Sequence, residues 1–335
     1  MAQREQRNDF SRPRAEYGGY LPLELNRGSE FFSKYEGNLL RFNSVKAALD
    51  KILTMTKPEV LCVPLYYCPS TTEALRRSGI RIQYYHVGED LLPEPFPDTA
   101  GTAILLVNYF GILDDPIRTA AMSYKNATVL LDQAHAFFCP PLMQKNIYNF
   151  YSARKFFGVP DGSYVIGNAV YGGETEEHFA GTTAYYLLKS YEQGTNAAYA
   201  EKKQADAEIA AEYAPMSKLA RGLLQNVNYE NVQTCRLRNF VVLHTAFAHM
   251  NRVTVSAVAP AYVYPFLCEN GKKLKEQLVN ERIYVPTLWN SELLSQEGTA
   301  FERSMSRNAV FLPVDQRYGD EDTAFLVRTV EDMLW

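Results

Sequence analysis

Five residues in this chain have types and spacing that could do chemistry together: Asn108, Asp132, His135, Ser152 and Lys155. Lys155 lies in FYSARKFFGVPDGSYV (150–165), among aromatic residues and ahead of Gly158, Pro160, Asp161 and Gly162. Taken alone it reads as a surface lysine whose stem lies over neighbouring rings. An amine kept beside an apolar pocket has a second use, attack on a carbonyl carbon to form a Schiff base. Asp132 ends the apolar run TVLLD, so its carboxylate loses water and needs a cation or hydrogen bonds. A helix N-cap position would satisfy it, and so would the protonated nitrogen of a heterocyclic ring. His135, in the same DQAH segment, could reach a second atom of such a ring or be an ordinary buried histidine. Ser152 and Lys155 form an S-x-x-K pair, so one turn can offer a hydroxyl to a phosphate while the amine points at a carbonyl. That pair also belongs to certain serine hydrolases. The KTG-type and SDN-type motifs those enzymes need are absent.

The elements that must position these residues read as an alternation. NSVKAALDKIL places Val45, Ala48, Leu49, Ile52 and Leu53 on one helical face, with Asn43 or Ser44 available as N-cap. EVLCVP is a short buried strand, followed by a helix over about 70–78 that Gly79 closes. Next come IRIQYYHV (strand), TAILLVNYFG (strand), DPIRTAAMSYK (helix), ATVLLDQAH (strand), NIYNFYS (strand) and SYVIG (strand). Short apolar strands alternating with helices predict an α/β layer structure with a mostly parallel sheet. Ligands of such sheets bind beyond the carboxyl ends of the strands. The polar residues just past each run are the five named above. From about residue 176 to 250 the chain reads as helices. A smaller α+β region follows, with AYVYPFL, RIYVP and AVFLP as strands and GKKLKEQLVNE and DEDTAFLVRTVEDML as helices. A composition shift near 225–255 marks the boundary.

Composition narrows the function classes. Hydrophobic content is 47% and charged content 21%, as in a water-soluble globular protein. The net charge is −4, and no basic block with interleaved aromatics occurs, so nucleic acid is not an expected partner. No run of 18 apolar residues is present, so no membrane span is expected. The five cysteines are scattered without a CxxC pair, which predicts neither a disulfide framework nor a zinc site and suits a reducing cytoplasm. No metal is expected.

The ordered set of segments resembles the fold type I enzymes that use pyridoxal 5'-phosphate (PLP), the aspartate aminotransferase superfamily. Within it the chain is most similar to the DegT/StrS-type sugar-nucleotide aminotransferases. NSVKAAL, VPLYYCPSTTEAL, NYFG, DQAH and YSARKFFGVPDGSYVIG carry the likeness, which spans roughly residues 20 to 335. It implies a three-layer αβα large domain with a mostly parallel sheet, plus a small α+β C-terminal domain. The corresponding division is a flexible lead-in over 1–25, a PLP-binding domain over 26–235 and a small domain over 236–335.

For individual residues the resemblance implies that Lys155 holds PLP as a Schiff base and shuttles the proton. Asp132 would pair with the ring nitrogen, His135 would lie near the ring's 3-oxygen, and Asn108 would lie on the same side. Ser152, Ser44 and the amides of Val45 and Lys46 would hold the phosphate, while Tyr67 (or Tyr66) would stack on the ring. The family's first phosphate loop usually reads Ser-Gly-Thr; here it is Ser44-Val45-Lys46, and the Lys46 ammonium would supply charge in its place. The implied activity moves an amino group from glutamate or glutamine to a nucleotide-linked keto sugar, for surface polysaccharides or antibiotics, in a cytoplasmic homodimer. Arg238, Arg282 and Arg307 are open choices for the donor carboxylate. Asn226, Asn228 and Asn239 are open choices for completing a neighbouring subunit's phosphate site. Two other readings stand beside this one: a fold type I lyase or decarboxylase, and a non-catalytic PLP-binding protein. Sugar dehydratases of the family carry histidine at the lysine position, so Lys155 points away from that branch.

Overall fold

The computed structural model describes residues 19–21, 23–26, 28–170 and 178–334. Residues 1–18 of the expected lead-in lie outside the described residues. Strand β1 (Leu39–Phe42) leads into helix α1 (Val45–Thr56). The alternation continues with β2 (Val60–Pro64), α2 (Pro69–Arg77), β3 (Arg81–Tyr85), β4 (Thr102–Val107), α3 (Asp114–Ser123), β5 (Thr128–Asp132), β6 (Ile147–Ser152) and β7 (Ser163–Ile166). Four helices follow: α4 (Gly181–Gln193), α5 (Tyr199–Ala211), α6 (Lys218–Leu224) and α7 (Tyr229–Phe247). The last part comprises β8 (Val263–Leu267), α8 (Gly271–Asn280), α9 (Glu292–Glu297), α10 (Ala300–Asn308), β9 (Ala309–Pro313) and α11 (Asp320–Leu334).

Helix α1 forms where its apolar spacing places it, burying Ala48, Leu49, Ile52 and Leu53. Ser44, not Asn43, is its N-cap: the Ser44 hydroxyl accepts from the Ala47 amide at 3.2 Å, while the Asn43 side chain donates to the Glu212 carbonyl. The seven-stranded sheet runs β1-β7-β6-β5-β4-β2-β3. Strands β3, β2, β4, β5 and β6 pair in parallel, and β7 lies antiparallel between β6 and β1. Strands β4, β5 and β6 are buried at nearly every position, and a strand buried on alternate sides needs a layer on each face of the sheet. The expected α/β architecture with a mostly parallel sheet is the one observed.

A second sheet pairs β8 with β9 antiparallel, Val263 opposite Pro313. The strand expected at RIYVP is not there. Arg282 turns off the end of α8 with φ +61°, and the Ile283 amide bonds back to the Leu278 carbonyl. The segment runs on as irregular chain, because alternation marks half-buried chain but a ladder also needs a neighbouring edge. Helices α9 and α10 and strand β1 were not expected individually. Among the described residues no helix is long and apolar enough to cross a membrane.

Candidate active site

Strand register brings the chemistry-bearing residues to one end of the sheet. Val107 lies opposite Asp132, and Asp132 opposite Phe150, so Asn108, Asp132 and Ser152 all emerge at the carboxyl ends of adjacent parallel strands. Ser152 pairs with Ser163, which pairs with Phe42. Ser44 and the start of α1 therefore share that rim. Tyr66 and Tyr67 leave the carboxyl end of β2 on the other flank.

Asp132 is 5% exposed, and its carboxylate is held on both oxygens. The Tyr67 hydroxyl donates to Oδ2 at 2.6 Å and the Ala134 amide to Oδ1 at 2.8 Å. Burial raises the Asp132 carboxyl above the ordinary range, while Tyr67, the Ala134 amide and the Lys155 ammonium act in the opposite direction. The Tyr67 phenol is pushed well up by burial and by the Asp132 charge, so it stays a proton donor.

His135 is packed flat between aromatic rings. Its imidazole lies 4.5 Å from the Tyr262 ring and 5.4 Å from Trp289, at interplanar angles of 25° and 14°. Burial, and then the Lys155 charge, hold it well below the usual histidine range, so it is neutral. Its Nδ1 is buried with no hydrogen-bond partner among the described residues. The preceding NYFG turn fits beneath it only because position 111 is glycine. Gly111 has φ +83°, and a Cβ there would meet the His135 carbonyl oxygen at 2.5 Å.

Lys155 ends a short 3-10 turn, Ala153–Lys155, that follows β6 directly. Its stem is half-buried and its ammonium lies 5.0 Å from the centre of the Tyr262 ring, a cation–π contact. It makes no hydrogen bond to a described residue, yet lies within electrostatic reach of Asp132 and His135. Ser152 is buried, and its hydroxyl caps nothing in the turn that it precedes. The first amides of α1, at Val45 and Lys46, have no intrahelical acceptor. Burial pulls the half-buried Lys46 ammonium down, partly offset by Cys68 and Asp206.

Asn108 stands just past the carboxyl end of β4. Its Nδ2 donates to the Gln133 Oε1 at 2.9 Å, and its Oδ1 accepts from the Leu113 amide at 3.1 Å. It ties the β4 and β5 ends together. Of the three open arginine choices, Arg238 pairs with Asp320 and the Tyr318 carbonyl, Arg282 is exposed where the chain turns off α8, and Arg307 is exposed on α10. Asn226 bonds to Asn26 and Gly222, Asn228 caps α7, and Asn239 is buried against the carbonyls of 314, 315 and 318.

Three neighbours escaped sequence reasoning. Trp289 closes the far side of the site, touching Tyr66, Tyr67, Tyr109 and His135. Arg236, 2% exposed, lies 4.4 Å over the Phe156 ring next to Lys155 and donates to the carbonyls of Ala261 and Phe156 and to Gln316. Burial draws its pKa down to about 10. Arg154 pairs with Asp206 of α5, which also holds Lys202 at 2.6 Å. Burial opposes ionisation of Asp206, but the two cations outweigh it and keep the carboxyl low. The one signal in the sequence was the arginine inside SARK; Trp289 and Arg236 had none.

No family model and no curated protein sequence matches this chain. Solved structures do share its fold. The sugar aminotransferase CalS13 from Micromonospora echinospora superposes with a TM-score of 0.61 at 17% identity, covering 90% of this chain and 89% of that one. A DegT DnrJ EryC1 StrS aminotransferase from Brucella abortus gives 0.61 at 15% identity, covering 89% and 87%. The PLP form of Spr1654 from Streptococcus pneumoniae gives 0.58 at 14% identity, covering 90% and 88%. At these identities the likeness establishes the fold: the chain is built as these aminotransferases are.

Proposed function

We propose that this protein is a PLP-dependent aminotransferase that delivers an amino group from glutamate or glutamine to a nucleotide-linked keto sugar. The observation that carries the reading is the placement of the Lys155 amine within electrostatic reach of a buried carboxylate, Asp132, at the ends of adjacent parallel strands. The shared fold with sugar aminotransferases supports it.

The residues present fit the cofactor. His135 Nδ1 is buried without a partner, and the buried Ser152 hydroxyl caps nothing. A phosphorylated pyridine with a ring oxygen would answer both. PLP, when bound, supplies a carbonyl that exchanges between amines and a ring that takes up electrons. Lys155 would hold it through its amine and would carry a proton to and from the substrate carbon. Asp132, fixed by Tyr67 and the Ala134 amide, keeps the ring nitrogen protonated. The pairing also lowers the cost of the buried carboxylate. His135, a neutral imidazole with an unpartnered Nδ1, would serve the ring oxygen. Ser152, Ser44 and the Val45 and Lys46 amides bind the phosphate at the start of α1, with Lys46 adding positive charge. Tyr67 serves Asp132 through its hydroxyl and offers its ring to the cofactor. Asn108 positions the β5 end through Gln133 and serves the cofactor from the same side as His135. A larger domain over 26–235, a smaller one over 236–335, a homodimer and a cytoplasmic setting complete the reading.

The purified protein should be yellow, and borohydride should fix the chromophore on Lys155, as located by peptide mass. Glutamate should bleach the colour. A colourless protein that stays unlabelled with added PLP would overturn the cofactor assignment. A coloured protein that responds to no amino donor would overturn transamination alone.

A further inference from the structure

A cavity of about 810 Å³ lies among α8, α9 and α10 and shares no residue with the Lys155 site. Four cations line it, Lys272, Lys275, Arg303 and Arg307, against one carboxylate, Glu276. Among the described residues none of the four forms an ion pair. Two are instead held by neutral carbonyls. Lys275 Nζ donates to the Arg307 carbonyl at 2.8 Å, and Arg303 donates to the Gly298 carbonyl. These bonds restrain Lys275 and Arg303 without cancelling their charge, so the cavity is lined by four like charges, two of them already held in place. Burial, then Lys272, pull the Lys275 ammonium down, as expected of a cation short of an anion. Ser295, Ser304 and Ser306 add hydroxyls, and Val285 and Leu294 add apolar wall.

Guanidinium forks, ammonium charges and hydroxyls together suit phosphate oxygens, and the volume falls within the range of small-molecule sites. The cavity also abuts the Lys155 site through one short segment. Thr287 and Asn290 line it. Between them, the Leu288 carbonyl accepts from the Tyr66 hydroxyl at 2.6 Å and Trp289 lies against His135. We propose that this cavity binds a small molecule carrying two or more phosphates, such as a nucleoside diphosphate, and that its occupancy is felt at Trp289.

The test is calorimetric titration of the full chain, kept in excess PLP, with inorganic pyrophosphate and with ADP. Both should bind, and Lys275→Gln with Arg303→Gln should weaken them about tenfold or more, the worth of one charged hydrogen bond. Arg307→Gln, an exposed change whose side chain holds nothing in the fold, should weaken pyrophosphate in the same direction and guards against misfolding of the double variant. Ser152→Ala should leave pyrophosphate affinity unchanged. In a Trp335→Phe background Trp289 is the single tryptophan, and its emission should shift on titration. Absence of heat from both probes, equal affinity in the cation variants, or loss of binding in Ser152→Ala would each overturn the site. Binding without any change in Trp289 emission would overturn the coupling.

Discussion

The Tyr67 hydroxyl donates a 2.6 Å hydrogen bond to Asp132 Oδ2, joining the turn after β2 to the end of β5 across the intervening strand β4. Tyr67→Phe removes the donor and leaves a buried carboxylate with the Ala134 amide as its remaining hydrogen bond among the described residues. Hydrogen bonds to charged groups are worth about 1.5–3 kcal/mol. Urea denaturation should show a loss of that size, and the visible spectrum should show weaker retention of PLP. An unchanged urea midpoint would mean that the bond contributes nothing net.

Asp132→Ala separates binding from chemistry. Lys155, Ser152 and the start of α1 all survive the change, so PLP should still bind and colour the protein. Transamination should fall by about 10³-fold, within the range for a lost acid–base partner. Normal turnover in this variant would remove Asp132 from its assigned place.

His135 predicts a pH dependence of stability. Its folded-state pKa is lowered, so below the unfolded value near 6.5 the unfolded chain binds a proton that the folded chain refuses. Stability contributed by this group is therefore present above that pH and lost as pH falls, by up to about 1.4 kcal/mol per pH unit. Urea midpoints of the parent should drop between pH 7 and pH 5.5. The drop should be shallower in His135→Gln, and an identical slope in both would show that the imidazole stays accessible to protons.

Arg236 joins Ala261, Gln316 and Phe156 behind the lysine turn. Arg236→Met keeps a stem over the Phe156 ring but strands the buried acceptors. A loss of about 2–4 kcal/mol in urea unfolding is expected. Full stability in this variant would mean that water replaces the guanidinium without cost.

The parts of the fold that were legible in the sequence are those with local signals. VLCVP, TAILLV and TVLLD are short apolar runs bounded by turn residues, and all three are sheet strands. Strand β1 carries Arg41, whose charge hides a buried strand until Glu30 and Glu36 are seen to pair with it at 3.0 and 2.8 Å. Helix α10 did carry a signal, the Thr299 and Glu302 capping box, which went unread because the helix spans only nine residues. RIYVP failed for the opposite reason: its alternation is local, while a ladder partner is not.

The candidate site divides along the same line. Asn108, Asp132, Ser152 and Lys155 could be named in advance because each lies at or shortly past the carboxyl end of a strand, and parallel strands carry all such positions to one rim. Chain order alone determined that much, together with the helix start at Ser44. What only the tertiary structure decided is what surrounds them. Trp289 against His135, Arg236 behind Lys155, Tyr67 on Asp132 and both bonds of Asn108 are contacts between residues whose spacing along the chain has no periodicity. Secondary structure is written in neighbours at a fixed repeat, whereas desolvation, charge pairing and ring packing depend on which distant segments the folded core presses together.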